Sequence, residues 1–153
     1  MVAAPEVETF LYGDAFAEYW IRQVRAYVRN APLLVAAGGL FHYFEEAKVV
    51  CLLQTLQQYG EITLVFDTVN KSGMAMMRKK YMKQLGHADA QMFFYVDSAS
   101  ALAKKNGGKV KVLAEEPYYY HIPRNGLKLS TKISMTVSDA LRMVKMIQLK
   151  LLK

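Results

Sequence analysis

The chain has a single cysteine, Cys51, so no intramolecular disulfide can form, which suits a reducing cytosol. Cys51 lies in a helical pattern and reads as a small buried apolar side chain rather than a reactive thiol. No apolar run approaches the ~20 residues a membrane span needs. Met1 to Glu8 has neither a basic start nor a long apolar core, so no secretory leader is read there. A cytoplasmic protein without a membrane partner is expected. There is no phosphate-cradling glycine-rich loop, no paired-cysteine metal motif and no serine in a nucleophile elbow. The three histidines, His42, His87 and His121, lack ligand-like spacing, so no metal is expected. No repeat or low-complexity tract breaks the chain, and residues 1–153 read as one domain.

What is present is an ordinary globular composition, 53% hydrophobic and 22% charged over 153 residues. The formal charge of +7 favours anionic partners in general. Its basic residues are scattered, however, and no nucleic-acid motif accompanies them. They read as solvated surface, and no nucleic acid is expected as a partner.

The most informative stretch runs from Ala31 to Asp67. Leu33 to Ala37 is an unbroken apolar run, the pattern of a strand buried on both faces. Gly38 and Gly39 follow, where backbone can approach a ligand closely. Glu45 to Tyr59 carries Val49, Leu52, Leu53 and Leu56 on one helical stripe, with Gly60 as its stop. Ile62 to Phe66 is a second strand, ending in Asp67. Strand, helix, strand implies a parallel pair, and ligands of open parallel sheets bind beyond the strands' carboxyl ends. Gly38, Gly39, His42, Tyr43 and Asp67 all fall there.

Before this unit, Val7 to Tyr12 is a candidate strand and Phe16 to Val28 a helix. The helix turns Phe16, Tyr19, Trp20, Val24 and Val28 to the core. After it, Met74 to Leu85 reads as a helix with Met74, Met77, Tyr81 and Leu85 on one stripe. That stripe suits a core, and its methionines also suit an adaptable binding surface. Met92 to Val96 fits either a strand or a pocket wall. Ala99 to Lys105 reads as a helix capped by Asp97 or Ser98 and stopped by Asn106-Gly107-Gly108. Lys109 to Tyr120 reads as a strand in which Pro117 marks a bulge or an edge. Pro123 to Thr131 is a loop, Ser138 to Arg142 a short helix, and Val144 to Leu152 a last strand.

Pro32-Leu-Leu-Val-Ala-Ala-Gly-Gly-Leu-Phe-His-Tyr-Phe44, the helix after it and Leu64-Val-Phe-Asp67 resemble the fourth strand, following helix and fifth strand of the leucine carboxyl methyltransferase family. More narrowly they resemble the tetracenomycin-type polyketide O-methyltransferases, class I enzymes that use S-adenosylmethionine. Gly13-Asp14-Ala15-Phe16 with Trp20 is similar to the family's segment after the third strand. Asn70-Lys-Ser-Gly-Met74, Tyr118-Tyr-Tyr-His-Ile-Pro-Arg124 and Ile133-Ser-Met-Thr-Val-Ser-Asp139 resemble it further on.

The resemblance implies an α/β fold, a Rossmann-like sheet, mostly parallel, whose last strand runs antiparallel between the fifth and sixth. The family's first strand, its glycine-rich turn and the acidic residue after the second strand have no counterpart before Val7. The chain thus looks like the C-terminal two-thirds of such an enzyme, and Gly38 stands where many members carry glutamate. By resemblance Asp14 and Ala15 would lie at the adenine of S-adenosylmethionine, and Ala37, Gly38 and Gly39 at its ribose or methionine part. His42 or Asp67 could act as base towards a hydroxyl acceptor, His42 preferred because imidazole titrates near neutrality. Tyr43, Met74 and Met77 could line the acceptor's pocket. The implied function is methyl transfer to a hydroxyl or carboxyl of a small polyketide-type molecule. The alternative is a non-catalytic binding or oligomerisation module. A strand left without its family neighbour exposes a pairing edge, so a homo-oligomer that binds the cofactor weakly, if at all, is expected.

Overall fold

The computed structural model describes residues 10–84 and 91–153. A helix, α1 (Tyr19–Val28), precedes strand β1 (Leu33–Ala37), a 3-10 turn (Phe41–Tyr43), helix α2 (Glu46–Gln57) and strand β2 (Ile62–Val69). Helices α3 (Lys71–Gln84) and α4 (Ala99–Lys105), strand β3 (Val110–Pro117), helix α5 (Leu129–Ala140) and strand β4 (Val144–Leu151) follow. The sheet order is β1-β2-β4-β3, with β1 parallel to β2 and β4 antiparallel to both β2 and β3. Three strands therefore run one way, and the last runs against them in the interior. This is the α/β arrangement that the sequence implied.

Burial explains the layering. Leu33, Val35 and Ala37 lie in register with Ile62, Leu64 and Phe66, and Ile147, Leu149 and Leu151 continue that face. Ile21 of α1, Val49, Leu53 and Leu56 of α2 and Leu102 of α4 pack into the same core. The other face is half-open. Leu34 is 70% exposed, so β1 is not buried on both faces as its composition suggests. It is an edge strand: among the described residues no strand pairs with its far side and the helices of the core cover one face only.

Other differences have local causes. Residues 7–9 of the expected first strand lie outside the described residues, and residues 10–12 form no strand. Helix α1 starts at Tyr19 because Asp14 first closes a turn, its Oδ1 accepting from the Phe16 N–H at 2.9 Å. Its buried residue is Ile21, whereas Val28 is exposed. Cys51 is exposed, lying off the stripe of Val49, Leu52, Leu53 and Leu56. Strand β2 runs on to Val69, which places Asp67 inside it. Asn70 starts α3, its Oδ1 accepting from the Gly73 N–H at 2.7 Å. Leu85 and His87 lie outside the described residues. Met92 to Val96 is extended without joining the sheet, alternating buried and exposed. Ser98 caps α4, accepting from the Ala101 N–H. Strand β3 is the other edge, with a bulge at Leu113 and Pro117 at its end.

The loop read over Pro123–Thr131 holds as far as Lys128, but the helix read over Ser138–Arg142 is instead the twelve-residue α5, Leu129–Ala140. Serine and threonine hydroxyls compete with a helix for its backbone groups. In the fold they bond within the helix: Ser134 Oγ donates to the Ser130 carbonyl and Thr136 Oγ1 to that of Lys132, both at 2.9 Å. A buried ion pair ties the sheet end together. Lys145 Nζ lies 2.7 Å from Glu115 Oε1 and 2.8 Å from the Asp97 carbonyl, and Glu115 Oε2 accepts from the Ala99 N–H. No helix among the described residues is long and apolar enough to cross a membrane.

Candidate functional site

Strand β1 ends at Ala37, opposite Phe66, so Asp67 is the first β2 residue beyond it. Gly39 turns the chain there with a φ of 63°, a left-handed conformation that favours glycine. Its N–H donates to Asp67 Oδ1 at 2.6 Å. The 3-10 turn then brings His42 back, with Nε2 3.4 Å from Asp67 Oδ2. The turn itself is held by Phe41, packed on Phe66 and Phe94 at centroid distances of 5.2 and 6.1 Å. The His42 carbonyl accepts from the Phe93 and Phe94 N–H groups. His42 is 4% exposed, and its Nδ1 is buried without a hydrogen-bond partner. In the tautomer that donates from Nε2 to Asp67, the lone pair of a neutral imidazole sits on Nδ1.

Burial by itself pushes the Asp67 carboxyl up. The hydrogen bond from His42 and the N–H of Gly39 outweigh it, so the group is held below the usual aspartate range. Asp67 is thus an ionised acceptor clamped at both oxygens. Its side chain, at 19% exposed, is the more accessible member of the pair.

A cavity of about 300 Å³ opens beside the edge of β1. Asp14, Ala15, Trp20, Val35, Ala37 and Leu40 are among its lining residues. Trp20 Nε1 donates to the Ala15 carbonyl at 2.8 Å, which fixes the indole against the loop. A second cavity of about 430 Å³ lies at the carboxyl end of β2, between α3 and α5. A third, about 240 Å³, is walled by Phe93 to Ser98, so the extended segment does line a pocket.

The residues singled out in the sequence therefore fall into groups. Asp14, Ala15 and Ala37 share the first cavity. Gly39, His42 and Asp67 form one hydrogen-bonded cluster. Gly38 lies between the two groups, and a Cβ built on it would meet nothing within 4 Å. Met77 lines the second cavity, while Met74 is buried beside it against Val69 and Met92. Tyr43 is exposed and lines none of the three cavities. Sequence reasoning missed Met76, Tyr119, Met135 and Met143, which also face the second cavity. Nine methionines were a visible signal, but not that two helices far apart in the chain would bring several of them together.

No protein family matches the sequence, and no curated protein matches it. Solved structures do. A crystal structure of a SAM-dependent methyltransferase from Anabaena variabilis ATCC 29413 is similar with a TM-score of 0.50 at 12% identity. The match covers 92% of this chain and 56% of that one. The chain has a methyltransferase-like α/β fold and spans little more than half the length of that structure.

Proposed function

We propose that the chain is an S-adenosylmethionine-dependent methyltransferase domain that transfers a methyl group to oxygen of a small-molecule acceptor. One observation carries the reading: the His42–Asp67 pair stands at the carboxyl end of the parallel strands, one residue beyond a cavity lined by Asp14 and Ala37. Open α/β sheets take their ligands there. The finer assignment, to a polyketide-type hydroxyl or carboxyl, rests on the sequence resemblance. Scattered basic residues are assigned to solvated surface, with neither nucleic acid nor membrane as partner and a cytoplasmic setting.

The residues present fit the adenosine end of the cofactor. Asp14 spends Oδ1 on the Phe16 N–H, which leaves Oδ2 to accept from an adenine amino group. The cavity is mainly apolar and flanked by the Trp20 ring. Open space over Gly38 and Gly39 lets a ligand approach the strand tip. When bound, S-adenosylmethionine would supply a methyl carbon whose bond to the sulfonium sulfur breaks with its electron pair going to sulfur. The chain's own residues position the acceptor and take its proton. Asp67 accepts the hydroxyl's hydrogen bond and takes its proton as the methyl is transferred, while His42 and Gly39 fix the carboxylate.

Calorimetric titration with S-adenosylmethionine, followed by transfer of a labelled methyl group to a panel of hydroxylated molecules, tests the reading. Saturable binding that weakens in Asp14→Ala, and transfer lost about 10²–10⁴-fold in Asp67→Asn, are expected. No binding at millimolar cofactor would sink it.

A second reading, an oligomerisation module, is favoured by the open edge of β1 and exposed Leu34. A stable oligomer with no cofactor affinity in the same titration would select it.

A further inference from the structure

We propose that the outer face of α5 is a two-fold interface, on which a second copy of this chain packs its own α5 antiparallel. Leu129, Ile133, Val137 and Leu141 stand 73%, 55%, 48% and 60% exposed. Spaced by four, they form one continuous ridge along the helix, opposite Met135, the residue the helix buries. The outward side of a solvated helix ordinarily carries charge. Here the ridge is flanked by Ser130, Ser134, Thr136 and Ala140, while the half-buried Lys132 and Asp139 lie towards the other side. Two of the flanking hydroxyls are already spent inside the helix, Ser134 on the Ser130 carbonyl and Thr136 on that of Lys132. Covering them leaves neither donor unpaired.

The shape selects the partner. A ridge of residues four apart packs into the groove beside a like ridge, the helices crossing at about −50°. An antiparallel two-fold sets Leu129 against the partner's Leu141 and Ile133 against the partner's Val137, so each ridge fills the other's groove. Arg124 bonds Thr136 and Asp139 on one flank of the helix, which leaves the groove beside Ser130 and Ser134 for the incoming ridge. Lys128 and Arg142 bracket the ridge at its ends, where crossing helices diverge and both charges stay in water. The loop that Arg124 ties down carries Tyr120, Ile122 and Leu127, all exposed, and widens the apolar patch. At about 100 Å² for each half-exposed side chain, the patch offers on the order of 700 Å², close to the ~800 Å² per partner of a stable interface. That exceeds the ~300–600 Å² of the largest apolar patch on a typical monomer. Ser134 also lines the cavity between α3 and α5, so the partner's ridge would close that rim.

The test uses the full chain carrying Leu34→Lys, which silences the edge of β1, at the far end of the sheet from the β3 and β4 strands under α5. Sedimentation velocity should show a dimer that forms as concentration rises. Ile133→Lys with Val137→Lys, and separately Ile133→Glu with Val137→Glu, should each weaken that dimer at least about a hundredfold. An equimolar mixture of the two variants should recover a one-to-one dimer, because each lysine then faces a glutamate. A lost fold cannot give that recovery. A chain that stays monomeric at about 1 mM, a charged variant that dimerises as tightly as its parent, or a mixture that stays monomeric overturns the proposal. A monomer that instead binds phosphatidylglycerol vesicles through these residues overturns it too, and assigns the face to a membrane.

Discussion

Replacing Gly73 with alanine tests how closely α3 is seated on the sheet. In a helix alanine is preferred over glycine by up to about 1 kcal/mol, so propensity alone predicts a more stable protein. The fold predicts the reverse. The new Cβ would lie 2.5 Å from the Met143 carbonyl oxygen and 3.1 Å from the Val69 Cβ. Neither atom is the free end of a flexible side chain. The Met143 carbonyl accepts from the Asn70 N–H at 3.0 Å, and Asn70 in turn holds the Gly73 N–H. Relief of the clash must therefore move the start of β4 or lift the first turn of α3. Overpacking of this kind costs roughly 1–3 kcal/mol and a weakened hydrogen bond about 1 kcal/mol more. Net of propensity, Gly73→Ala should destabilise by about 1–3 kcal/mol, read as a lower urea midpoint at unchanged m-value. Gly38→Ala is the control: its Cβ would meet nothing, and the change should stay within about 0.5 kcal/mol. A Gly73→Ala protein as stable as wild type would refute the close seating.

Lys145→Met leaves Glu115 partly buried and unpaired at the junction of β3, β4 and α4, and should cost about 3 kcal/mol in urea unfolding. Because Asp67 is held below its ordinary range, its contribution to stability is complete above the unfolded value near pH 4 and is lost as pH falls through its lower folded value. Asp67→Asn should remove that share of the acid dependence, and an acid transition unchanged in the variant would show that the His42 and Gly39 bonds contribute nothing. The edge of β1, unpaired among the described residues, should make the chain self-associate with concentration, and Leu34→Lys should reduce that association in light scattering while leaving the fold intact.

The parallel pairing of β1 with β2 was legible because hydrophobic periodicity and glycine placement are local signals, whereas the antiparallel place of β4 followed from the resemblance. Leu33 to Ala37, the stripe of α2 and Ala99 to Lys105 each read correctly from their own residues. Burial was less legible, since it depends on what covers an element. Leu34 has the same composition around it whether a neighbour is present or not, and Cys51 lies one residue off a buried stripe. The start of helix α5 was missed where Ser130, Thr131, Ser134 and Thr136 compete with the helix unless neighbouring carbonyls take their hydroxyls, as those of Lys132 and Ser130 take the hydroxyls of Thr136 and Ser134. Within the candidate site, Asp14 and Ala37 sharing a cavity followed from the resemblance, and the meeting of His42 with Asp67 followed from strand-end placement. The convergence of Met76 and Met135 did not, because no short-range signal in the sequence links α3 to α5.

The antiparallel strand has a consequence for how the chain comes to be folded at all. β4 occupies residues 144–151, yet it is hydrogen-bonded on both sides, to β2 and to β3. As synthesis runs from the amino end, β1, α2 and β2 can emerge and pack early, while β2 and β3 wait with unpaired edges for a strand that follows both of them in the chain. Closure needs contacts between residues 62 and 151, among the longest separations the sheet contains. A nascent chain stalled before Val144 would therefore present two sticky edges at once, and a ribosome-bound protein arrested there should be digested readily by protease. Emergence of residues 144–151, not the appearance of the core helices, sets the moment at which the domain becomes resistant.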